Sequence, residues 1–372
     1  MTQRYIFINR TNKIVLLLFI TIPLIFVGVM INNYYSYDLK DNIYPADLVI
    51  VKNGAMLNYN LDTGKSNEIE INKHDEDGYK SYVFEGLKYE NNMFVVKNPT
   101  YLQLISDDFK TINKEELPKE INYSPYMNSI AFFNDSLYYV SNSHVNDKML
   151  AVSCEYYNDQ VECFDGVIDT YVKNYDNKLY ALLDYDNEYG KNYALLRIRD
   201  DKQVSEFPLD LKTNCDYIYN FTIYEDHLYI LFSNTINDNE KIYLAKLDMD
   251  LKMTDRIEVS NTQSYSDLYL YDDIIYLYGH SHSSIDVPYL TKYDTSNLQK
   301  IERINLSKSK VFYSNKQDFI DDKLFIYHGN SLGIYDIDDN KMLYNNLLSL
   351  PHDYKAPYDS GCVTIRLHEK DS

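Results

Sequence analysis

Short apolar runs alternate with polar turns through most of this chain, and one such unit is written repeatedly. "DNKLYALLDY" at residues 176–185 has counterparts in "NDSLYYV" from 134, "EDHLYILF" from 225, "DDIIYLYG" from 272 and "DDKLFIYH" from 321. Aligned on the aromatic after Leu or Ile, the units give Tyr138, Tyr180, Tyr229, Tyr276 and Phe325, spaced by 42, 49, 47 and 49 residues. Phe94 in "ENNMFVVKN" lies 44 residues before Tyr138, and Val49 in "ADLVIVKNG" a further 45 before that. Seven units with a period near 47 therefore cover the chain, a length that fits a multi-stranded blade and not a helical repeat.

Residues 217–260 show the grammar of a unit: "YIYNFTIY", a turn at "EDH", "LYILFS", a polar loop "NTINDNE", "KIYLAKLD", a turn at "MDLK", then "DRIEVS". This predicts four strands. The central pair is almost continuously apolar, so both of its faces are buried, while the last strand is more polar. Blades sandwiched between neighbours in a ring meet that demand. An open solenoid predicts shorter repeats with polar caps, and a two-sheet sandwich predicts no fixed period. The first unit starts at its second strand, and "GCVTIRLH" at 361–368 is left over after the seventh. That final run is expected to complete the first blade, closing the ring and removing its free edges.

On these repeats, over residues 46–369, the chain resembles the seven-bladed β-propeller superfamily in a membrane-anchored bacterial version. The resemblance implies an all-β fold of four-stranded blades. Subfamily signatures are missing: the chain has no Trp for a Trp-Asp pair, no Gly-Gly kelch pair and no sialidase box. It therefore implies no particular ligand or reaction.

Residues 14–31, "IVLLLFITIPLIFVGVMI", are eighteen uncharged and mostly apolar positions, enough to cross the roughly 30 Å hydrocarbon layer as a helix. Arg4, Arg10 and Lys13 precede them, while Asp38, Lys40 and Asp41 follow. The positive-inside rule then puts residues 1–13 in the cytoplasm, 14–31 in the cell membrane, 32–45 in a linker and the propeller outside. A cleaved signal peptide is the rival reading, but "GVMINNYYS" offers no small-x-small cleavage site. An uncleaved signal anchor is expected.

Composition sharpens the picture in two ways. Tyr occurs 40 times against 11 Gly and no Trp, which suits packed β-structure and makes the repeated tyrosines blade packing before anything else. The formal net charge is −20, which argues against a nucleic-acid partner and favours cations or basic partners.

Several polar clusters fall in the loops between second and third strands, the usual ligand face of propellers: His144, the run Asp184–Glu188, the run Asn237–Glu240, His280 with His282, and His328. His280 and His282 alternate on an extended segment and His328 begins the equivalent loop of the next unit, so three imidazoles could hold a divalent transition metal. Asp184, Asp186 and Glu188 alternate as oxygen ligands of Ca²⁺ can, without the glycine of a known calcium loop. Each cluster also reads as an ordinary solvated loop, and no cofactor is required. In "AVSCEYYNDQVECFDG" a two-residue turn at Asn158-Asp159 places Cys154 opposite Cys163 as a non-hydrogen-bonded pair within disulfide reach. Cys215 and Cys362 belong to non-adjacent units and are expected to take no part in a disulfide. With a scaffold and no catalytic signature, the expectation is a binding or scaffold module for a protein, peptide or glycan partner. The alternative is a metal-assisted hydrolase or lyase acting on cell-envelope material through His280, His282 and His328.

Overall fold

The computed structural model describes the chain from Tyr44 to Leu367, apart from residues 53–54, 71–85, 91–92, 98–100, 117–125, 134–135, 145–150, 158–159, 166–171, 187–191, 201–202, 214, 237–238, 261–262, 282–287, 307–315, 329–330, 349 and 351–361. The cytoplasmic tail and transmembrane segment expected at residues 1–31 lie outside the described residues, as does nearly all of the linker. Among the described residues no helix is long and apolar enough to cross a membrane.

The described strands form seven antiparallel sheets of four strands each. Six sheets take their strands in chain order; the first runs Cys362–Leu367, Ala46–Lys52, Ala55–Asn60, Lys65–Glu70. The innermost strands of neighbouring sheets touch, Tyr217–Tyr224 with Gln263–Tyr271 and Cys362–Leu367 with both Gly86–Glu90 and Lys316–Ile320 among them. This is a seven-bladed β-propeller whose ring is closed by the last strand. Ala46 pairs with Leu367 and Val51 with Cys362, so the C-terminal strand supplies the inner edge that blade one lacks.

The core lies between the blades. Seven clusters of buried residues among those described each join one adjacent pair of blades. In the second strand of blade five, Leu228, Ile230 and Phe232 pack toward blade four while Tyr229 and Leu231 pack toward blade six. Side chains alternate across a strand, so a strand covered on both faces favours apolar residues at successive positions, apart from buried polar groups that find partners. That is the origin of the continuous hydrophobic runs.

The polar half of the repeat builds hairpins. Asp176-Asn177, Glu225-Asp226 and Asp272-Asp273 connect innermost to second strands with no other residue between the paired positions. All six have φ between 44° and 60°. Positive φ at both central residues is the signature of a type I′ turn, whose twist matches the strands it joins. These turns and those between third and fourth strands share one end of the blades, the turn face. Loops between second and third strands, with the blade-to-blade connections, share the other end, the loop face.

Two local expectations change. The aromatic alignment slips by one in blade two: Glu90 pairs with Met93, so the counterpart of Tyr138 is Val95, and Phe94 packs back against blade one. A slip of one residue turns a strand position to the opposite face. The segment read as a polar loop at 234–240 is mostly ladder, because His227–Ile236 pairs with Asn239–Asp248 through Ile236↔Asn239. Backbone pairing runs on past the point where the apolar pattern stops, since solvated polar side chains do not interrupt it. His227, read as part of the turn, opens the strand.

Candidate functional site

The described residues at the loop face fix where the sequence candidates fall. His144 pairs with Ala151 in blade three, Asp184 with Ala194 and Asp186 with Asn192 in blade four, His280 with Pro288 in blade six, and His328 with Ser331 in blade seven. All occupy the loop-face ends of second strands, in four different blades. Glu188 and His282 lie outside the described residues. No group of three metal-ligating side chains occurs among the described residues.

Blade five carries the loop-face chemistry that the structure describes in most detail. Its innermost strand opens with Tyr217, which is 43% exposed. The ring of Tyr219 stands edge-on to it, with centroids 5.0 Å apart and planes at 78°. The Tyr219 hydroxyl donates to Glu240 Oε1 at 2.6 Å. Burial and then the Glu240 carboxylate push the Tyr219 hydroxyl far above its ordinary range. Asp216 precedes the pair and accepts a hydrogen bond from the Thr235 amide. Glu240 belongs to a polar cluster visible in the sequence; the two tyrosines do not stand out among 40.

Two buried polar networks lie deeper. Between blades three and four, Glu155 is 1% exposed and accepts from Tyr138 Oη at 2.7 Å and from Arg197 Nη2 at 3.0 Å. Arg199 reaches both Glu155 and Glu162, the latter at 2.9 Å, and Arg197 also pairs with Glu206. Glu155 and Glu162 face each other in register beside the Cys154–Cys163 disulfide, whose Cα atoms are 4.1 Å apart. Like charges directly opposite are unfavourable in a sheet, and the two guanidiniums of blade four offset them. Between blades five and six, Asn220 donates to Asp267 on the neighbouring innermost strand, and Tyr269 Oη and the Leu268 amide each donate to the same carboxylate at 2.8 Å. Burial outweighs these hydrogen bonds and raises the Asp267 carboxyl.

Sequence reasoning missed both networks. Asn220 and Asp267 are one repeat period apart and aligning innermost strands would have exposed them; the partners of Glu155 have no such signal.

No protein-family model matches the sequence, and no curated protein matches it either. The fold is similar to that of a proposed 6-phosphogluconolactonase from Bacteroides uniformis, with a TM-score of 0.52, 11% identity, and coverage of 87% of this chain and all of that one. It is also similar to the WD40 domain of Neurospora crassa Pan2, with a TM-score of 0.48, 8% identity, and coverage of 79% and 82%. At these identities the likeness concerns the propeller fold alone.

Proposed function

We propose that this protein is a membrane-anchored extracytoplasmic binding or scaffold module that offers the loop face of its propeller to a protein, peptide or glycan partner. The observation that carries the reading is the Ala46↔Leu367 pair at the turn face. The propeller's chain enters and leaves there, next to Tyr44, whose ring packs edge-on against Phe325 at 5.9 Å. A partner arriving at the loop face does not compete with the point of chain entry. The polar stations of four blades at that face supply varied recognition chemistry on one rigid support. The run at 14–31 supports the anchor, and the disulfide between Cys154 and Cys163 suits an oxidising compartment.

The test is site-specific photo-crosslinking in membranes holding the full-length protein, with the reactive group at position 144 or 280 and a turn-face control at 226. Discrete adducts from the loop-face positions alone support the reading; none, or equal labelling from 226, sinks it. Metal analysis of the same protein separates the alternative. Stoichiometric transition metal lost in a His280→Ala, His282→Ala double variant would make a metal-assisted hydrolase or lyase the better account.

A further inference from the structure

Tyr217 and Tyr219 form a corner at the loop-face end of the innermost strand of blade five, where Tyr217 is 43% exposed. Their planes meet at 78° with centroids 5.0 Å apart. A β-bulge builds the corner. Register steps from Ile218↔Phe232 to Asn220↔Leu231, which leaves Tyr219 as the extra residue. Bulges bend a strand and re-aim a side chain, and they gather beside functional sites. Blade six has a bulge at the same station, where Ser266 is the extra residue. The kink is therefore shared, but blade six has Ser264 and Ser266 where blade five has Tyr217 and Tyr219, so both rings are particular to blade five.

Two carboxylates flank the corner. Glu240 accepts from the Tyr219 hydroxyl at 2.6 Å, and Asp216 is anchored by the amide of Thr235, the register partner of Glu240. Lys241, next in sequence, is held by Glu258 at 2.8 Å and does not neutralise them. A hydrogen bond from a phenol to a carboxylate makes the ring a better partner for a cation, because it raises electron density on the oxygen and, by resonance, on the ring. The arrangement thus sets two ring planes at 78° to each other beside the carboxylate of Glu240.

We propose that this corner binds an ammonium group, presented by a lysine side chain of a peptide partner. Cation–π attraction supplies the selectivity for a compact cation over water. The net charge of −20 favours the approach of basic segments. The assignment to a peptide rests on the loop-face reading above; the affinity of the corner for ammonium groups does not.

The test is calorimetric titration of the full-length protein, at fixed ionic strength, with acetylated trilysine amide and separately with tetramethylammonium chloride. Saturable one-to-one binding of the peptide is expected. It should weaken roughly fivefold in Tyr217→Leu and stay within about twofold in Tyr217→Phe, because phenylalanine keeps the π face. Glu240→Gln, at an exposed position, should also weaken it, and provides the measurement if the leucine variant melts early. Absence of saturable binding by both probes, or equal binding by the leucine variant, overturns the site. Binding of tetramethylammonium without the peptide overturns the peptide assignment. If trilysine binds while loop-face crosslinking yields nothing, the scaffold reading fails and the ammonium site stands.

Discussion

Arg366 of the last strand lies directly across the sheet from Asp47 of the first and donates to its carboxylate. Asp47 is 2% exposed, and Asn58 and Asn60 donate to it as well, at 3.2 and 2.9 Å. Arg366 also reaches Asp107 in blade two at 2.9 Å. One side chain thereby ties the closing strand to its own blade and to the next. Burial alone would raise the Asp47 carboxyl, but the hydrogen bond and charge of Arg366, with the two asparagines, hold it below the ordinary carboxylate range.

A depressed carboxylate stabilises the fold above its unfolded-state pKa of about 4 and ceases to do so as pH falls through the folded value. Asp47→Asn should therefore lower the melting temperature at neutral pH, and the gap from the parent protein should narrow below about pH 4. Arg366→Met strands a buried charge and should cost about 3–5 kcal/mol. The double variant should cost less than the two singles added together. Strict additivity in a denaturant double-mutant cycle would show that the pair is not coupled.

Removing residues 360–372 takes away the innermost strand of blade one and exposes the ladder of Ala46–Lys52. Loss of a cooperative thermal transition is expected, because the two interfaces that blade one shares with its neighbours open together. A truncated protein that melts cooperatively at the parent temperature would mean that the ring does not depend on this closure.

The Cys154–Cys163 bond closes a loop of nine residues' separation in the outer hairpin of blade three, so replacing both by Ser should cost about 2–3 kcal/mol by loop entropy. Denatured, unreduced protein should titrate with two thiols out of four cysteines. Beside it, Arg197→Met should cost about 3 kcal/mol by leaving Glu155 short of a partner in the buried network, measured by chemical denaturation. A cost under about 0.5 kcal/mol would show that Arg199 alone satisfies Glu155.

Glu225 holds a φ of 44° in the hairpin of blade five, where the other two hairpins place Asp. The left-handed region is costly for most residues and easier for Asn or Asp. Glu225→Asn should stabilise the protein by roughly 0.5–1 kcal/mol. A drop in melting temperature would show that the Glu225 side chain makes a contact worth more than the backbone strain.

Much of the architecture was legible because each blade repeats a local rule. The apolar second and third strands, the acidic hairpins and the leftover C-terminal strand can all be read without knowing what lies across an interface. Phe94 marks where this fails: a one-residue change in strand start is invisible in an aromatic alignment, yet it exchanges the neighbour that the ring faces. His144, Asp186, His280 and His328 were read as loop residues but stand in the paired ends of second strands, because backbone pairing runs on past the apolar stretch.

Sequence alone determined the number of blades, the closing strand and the facing of Cys154 toward Cys163, since alternation and turn length act over a few residues. Only the tertiary structure decided which charges and rings meet. Glu155 finds Arg197 forty-two residues away, and Arg366 finds Asp107 across 259. The physical reason is that blades meet through their faces, with a relative twist and offset that no single strand encodes. The partner of a buried charge is therefore set by the closed ring.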